Sequence, residues 1–78
     1  MYMTPDVAYK VTKGNTDESI KLDDIVYVDK EDGSIVVPRR DKKFNKDELT
    51  KSVTDFECEV DPAWEIIRTA NNVLVKRE

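Results

Sequence analysis

Two short β-branched and aromatic runs, Ile25 to Val28 and Ile35 to Val37, flank the turn residues Glu31, Asp32 and Gly33. Such runs favour pleated, half-buried backbone, and Gly33 is free to take the positive φ of a bulged hairpin loop. A β-hairpin over 25–37 is therefore expected, and it points to a small, mainly-β fold. Pro38 ends the second strand because it has no N–H to give to a ladder.

The rest of the chain is read against that hairpin. Val7, Tyr9 and Val11 alternate with Ala8, Lys10 and Thr12, the period of a half-buried first strand. Residues 13–19 are polar and contain Gly14 and Asn15, which predicts a loop, with Ile20 and Leu22 anchoring it to the core. Arg39 to Lys43 reads as a charged connection. Asn45 with Glu48 three residues later has the form of a capping box. It predicts one or two helical turns to about Ser52, pinned by Phe44 and Leu49. Phe56, Cys58 and Val60 then alternate with Asp55, Glu57, Glu59 and Asp61, giving a strand with one apolar and one acidic face.

The segment after Asp61 supports two readings. Asp61 and Pro62 form a good helix start, and Ala63, Ile66, Ile67, Ala70 and Leu74 would line one helical face. Ile66, Ile67, Thr69, Val73 and Val75 are β-formers, however, and Asn71 with Asn72 makes a good turn between strands 64–69 and 73–77. The hairpin is favoured. It gives six short strands and one helical turn, closing as a small barrel. The alternative is an α+β arrangement, a four-stranded sheet with a C-terminal helix.

A chain of 78 residues is one domain, 1–78, with 38% apolar and 38% charged residues. A domain of this size buries roughly 60–65% of its unfolded surface. About ten to fourteen core side chains are expected, each contributing roughly 1.5–3 kcal/mol. One cysteine, Cys58, allows no internal disulfide, and the absence of histidine excludes Cys/His zinc sites. No apolar run approaches the roughly 20 residues that span a bilayer. Met1 to Pro5 reads as a native start rather than a targeting segment. A cytoplasmic protein without membrane association or cofactor is expected.

Lys21 to Val28, followed by Asp32 to Ile35, resembles the opening of many SH3-like barrels, although Asp23 stands where that pattern usually has glycine. With the short helical turn and the segment from Asp55 to Val60, residues 7–60 are similar to small uncharacterised proteins of bacteriophages and mobile elements in Gram-positive bacteria. The resemblance implies an SH3-like barrel. It implies no catalytic or binding residues.

Catalysis finds little support in these residues. Without histidine there is no Ser-His or Cys-His activation. Cys58 reads as a small buried hydrophobe, and its neighbours Glu57 and Glu59 would raise its pKa. Asp29 to Gly33 does not fit a calcium loop, because Gly33 at the sixth position puts Val28 at the first. Glu57 and Glu59 would lie about 7 Å apart on one strand face, which reads as solvated surface rather than a paired-carboxylate site.

Charge is segregated along the chain. The net charge of −4 divides into −4 over 1–38, +3 over 39–52, −5 over 53–65 and +2 over 66–78. The basic group Arg39, Arg40, Lys42, Lys43 and Lys46 is one candidate contact surface, for a protein or for nucleic acid. The acidic group Asp55, Glu57, Glu59, Asp61 and Glu65 is the other, and a row of carboxylates can imitate phosphates. Trp64 beside it is an interface anchor if exposed and a core residue if not. The leading expectation is a non-enzymatic protein-interaction module. The alternatives are a nucleic-acid-binding barrel and a local nucleic-acid mimic.

Overall fold

The fold is mainly β, and the computed structural model describes residues 3–67 and 74–76. Its strands are β1 (Tyr9–Lys13), β2 (Ile25–Val28), β3 (Ile35–Val37), β4 (Lys42–Phe44), β5 (Glu57–Val60), β6 (Trp64–Ile66) and β7 (Leu74–Lys76). Single 3₁₀ turns cover Pro38–Arg40 and Lys46–Glu48, and one short helix, α1, covers Lys51–Thr54. Five strands form an antiparallel sheet in the order β4-β3-β2-β1-β5, and β6 pairs with β7 separately.

The expected hairpin is β2–β3, with Tyr27 opposite Val36 and Val28 opposite Ile35. Gly33 takes φ +74° in its loop, and Asp32 Oδ1 accepts from the Ser34 N–H at 2.9 Å. That bond is the main reason the Asp32 carboxyl is lowered to about 2, with Lys43 adding to it. The capping pattern also forms: the Asn45 N–H donates to Glu48 Oε1 at 3.1 Å. It closes a 3₁₀ turn, and the helix follows only from Lys51 to Thr54. Phe44 and Leu49 pack against the core as expected.

The main core joins Tyr9, Val11, Ile20, Val26, Ile35, Val37, Phe56 and Met3. A second cluster, Ala8, Ile25 and Leu74, lies under Trp64 and Ile66. Ile25, Val26 and Tyr27 are all buried: Val26 lies in the main core, and Ile25, on the other face, lies under β6–β7. Ala8, expected on a solvent face, is buried beside Ile25. Thirteen apolar side chains are buried among the described residues, within the core size that chain length implies.

Several expectations need correction. Among the described residues no ladder joins β4 to β5, so the sheet is not a closed barrel. Among the described residues there are seven strands rather than six, because the charged run ending at Phe44 supplies β4, held by Lys43 opposite Val36 and Phe44 opposite Ile35. The C-terminal helix is overturned. Trp64 pairs with Lys76 and Ile66 with Leu74, so 64–66 and 74–76 are strands of a hairpin. The expected turn at Asn71 and Asn72 lies outside the described residues. Leu22 does not anchor its loop: it is 63% exposed, while Ile20 alone is buried. The apolar face of β5 also fades along its length, from buried Phe56 to Val60 at 56% exposure.

Candidate interaction surface

The basic residues do not form one patch. Arg40 turns inward, where its Nη2 donates to the Ser19 carbonyl and pairs with Asp24. Both side chains are largely covered, 29% exposed for Arg40 and 15% for Asp24. Lys42 Nζ reaches the same Ser19 carbonyl at 3.4 Å. Lys43, on the opposite face of β4, pairs with Asp32 at 3.1 Å, and the stem of Lys46 runs past Gly33. Arg39 points elsewhere, its guanidinium 5.6 Å from the centre of the Trp64 ring. Replacing Arg40 with methionine should cost about 1–2 kcal/mol, because Asp24 loses its cationic partner in partly dry surroundings and the Ser19 carbonyl keeps only the longer Lys42 contact. Urea melts check this, and an unchanged midpoint would return Arg40 to the free surface charges.

The acidic residues are divided in a similar way. Asp55 accepts from the Thr16 N–H at 2.8 Å and from the Thr16 hydroxyl. These bonds hold its carboxyl below the usual range. Glu57 pairs with Lys13 at 3.9 Å, and Glu59 stands opposite Lys10 across the β1–β5 ladder. The row of carboxylates on β5 thus carries a row of lysines beside it. Cys58 is half-buried, and burial pushes its thiol up. The cause is desolvation, where the sequence had pointed to the flanking glutamates.

Asp61, Trp64 and Glu65 lie apart from that row, at the second hairpin. Asp61 Oδ1 accepts from the Ala63 N–H at 3.0 Å, and the Trp64 N–H reaches the Asp61 carbonyl at 3.4 Å. These bonds turn the chain tightly out of β5 and into β6. The half-buried Trp64 ring then rests on the second cluster and borders two clefts. One, of about 230 Å³, is lined by Asp6, Val7, Val60, Asp61, Glu65 and Ile66 among others. The other, of about 200 Å³, is lined by Pro38, Arg39, Trp64 and Leu74.

A larger open groove of about 470 Å³ runs between the β2–β3 hairpin and α1, over Met3, Val28, Ile35, Leu49 and Phe56. It was not foreseen, since its residues are far apart in sequence. Its lining contains no ionisable side chain. Among the described residues no cluster of acidic, cysteine or histidine side chains is arranged to hold a metal ion. No described helix is long and apolar enough to cross a membrane.

No family model matches the chain, and no curated protein or solved structure shows significant similarity to it.

The Arg39–Trp64 contact was also missed. By sequence position Arg39 belongs with a basic group and Trp64 with an acidic one. Only the packing of β6–β7 behind Ile25 and Ala8 brings the ring to the end of β3.

Proposed function

We propose that this chain is a non-enzymatic protein-interaction module whose contact surface is centred on Trp64. The observation that carries this reading is the Trp64 ring itself, half-buried between two clefts with Arg39 against it. Tryptophan and arginine are the residues most often found at energetic centres of protein interfaces. The exposed Val60 adds apolar area beside them, and Asp61 and Glu65 supply a polar rim.

The SH3-like resemblance, with its association to phage and mobile-element proteins, belongs to the same proposal. The strand order supports it. The chain meanders through β2, β3 and β4, passes a 3₁₀ turn and a short helix, and returns β5 against β1. This is the connectivity that curls a sheet of this size toward a barrel. Asp23 gives further support: its φ of 71° is the left-handed conformation that the glycine of the barrel pattern favours. Nucleic-acid binding through Arg39 to Lys46 has less support, because Arg40, Lys42 and Lys43 already serve acceptors within the chain.

The test is capture of partners from producing cells by the tagged chain, with nuclease present throughout. Wild type should retain a protein that is reduced at least about tenfold by both Trp64→Ser and the surface change Arg39→Glu. Retention unaffected by either substitution, or recovery that disappears with nuclease, would reject the proposal.

A further inference from the structure

Among the described residues Trp64 alone lines both clefts, and the charges on its two sides are opposite. On one side stands Arg39, exposed and in no ion pair with any described residue. Lys76 stands opposite Trp64 in the β6–β7 ladder. On the other side stand Asp6, Asp61 and Glu65, above an apolar floor of Val7, Ala8 and Ile66. The surface is therefore basic, aromatic and acidic in order.

The charge order restricts what can lie there. A polyanion that meets Arg39 runs into three carboxylates past the ring, and a polycation that meets Asp61 runs into Arg39. An apolar ligand engages the ring alone. The charge order is matched by an occupant that is anionic at one end, apolar in the middle and cationic at the other. Extended peptide meets this requirement, because alternate side chains share a face and repeat about every 6–7 Å.

We propose that the surface binds an extended segment of a partner protein in which an acidic, an apolar and a basic side chain occupy alternate positions. The acidic side chain pairs with Arg39, the apolar one covers Trp64, and the basic one faces Asp61 and Glu65. This inference rests on the interaction-module reading and specifies the partner's chemistry.

Trp64 is the sole tryptophan, so its emission reports occupancy directly. The full chain is titrated with a short capped peptide carrying aspartate, leucine and lysine at alternate positions. Controls replace both charged residues with lysine, or both with aspartate, and a single-stranded oligonucleotide serves as a polyanion. The mixed peptide should bind saturably and at least about tenfold more tightly than any control. Arg39→Glu should remove that preference and make the lysine-only peptide the tightest ligand. Equal binding of the three peptides, tightest binding of the oligonucleotide, no emission change with any probe, or an unaltered ranking in Arg39→Glu would overturn the inference. If it fails while Trp64→Ser and Arg39→Glu both still abolish partner capture, the interaction module stands and only this account of its ligand falls. If capture survives Trp64→Ser, the parent reading falls instead.

Discussion

Phe56→Ala should remove about 3–5 kcal/mol of stability, the usual cost of emptying a buried phenylalanine site. A chain of this length has only about 4–12 kcal/mol in total. The variant should therefore unfold at a much lower urea concentration and be partly unfolded near body temperature. The ring is 1% exposed. It belongs to the cluster that contains Val11 and Val26 from the sheet and Ile35 and Val37 from the hairpin. Phe56 thus closes the core between α1 and β5. Phe56→Leu, which keeps most of that volume, should cost about 1 kcal/mol. Urea melts followed by circular dichroism check both values. A loss below about 1.5 kcal/mol for alanine would mean that the site collapses and the ring is not a keystone of the core.

Asn15→Ala should cost about 2–4 kcal/mol, more than a loop asparagine ordinarily would. Its side chain is buried, 6% exposed. Its Nδ2 donates to the Val53 carbonyl at 3.1 Å and to Ser19 Oγ at 2.9 Å. Its Oδ1 accepts from the Ile20 N–H at 3.0 Å. Alanine would leave a buried carbonyl and a buried N–H unpaired at once. The loop is closely packed there: a Cβ on the preceding Gly14 would sit 2.8 Å from the Ile20 carbonyl oxygen. Asn15→Asp provides the control. It keeps the acceptor for Ile20 and loses the donor for Val53 while it is ionised. Burial raises the folded pKa of such an aspartate, so its destabilisation relative to wild type should shrink as pH falls and a proton restores the donor. Melts of both proteins at pH 7 and pH 5 read this directly, and a pH-independent difference would mean the Val53 bond contributes nothing.

Sequence and structure agree wherever local pattern carries the information. The β2–β3 hairpin, the alternation that begins at Tyr9, the Asn45–Glu48 pairing and the strand at Glu57 are each decided by residues within a few positions of one another. The preference for a C-terminal hairpin over a helix also rested on local β-formers around Ile66 and Val75. The missed features depend on distant partners. β4 is a strand because Val36 and Ile35 offer it a ladder, and nothing in Lys42, Lys43 and Phe44 favours extended backbone strongly enough to reveal that. Ala8 is buried because a hairpin more than fifty residues later covers it.

The candidate surface was legible in part. Arg39, Asp61 and Glu65 are legible as contact candidates, Asp6 is not, and grouping the charges by sequence position is misleading. Arg40 goes inward to Asp24, and Arg39 leaves its basic neighbours to lie on Trp64. Adjacent side chains in a turn diverge, and their destinations are set by acceptors that no local pattern displays.

The two-stranded β6–β7 sheet shares no ladder with the five-stranded sheet among the described residues. It is joined to the main body chiefly by the small cluster of Ala8, Ile25, Leu74, Trp64 and Ile66. Elements attached by few apolar contacts open before the rest of a domain does, at a free energy below that of global unfolding. Amide hydrogen exchange should therefore be fastest, among the strands, in the hairpin that carries the contact residue. A ligand seated on Trp64 then acts as a clamp on that opening. Its affinity includes the free energy of holding the hairpin closed, and substitutions beneath the ring at Ala8 or Ile25 would alter recognition without touching the ligand.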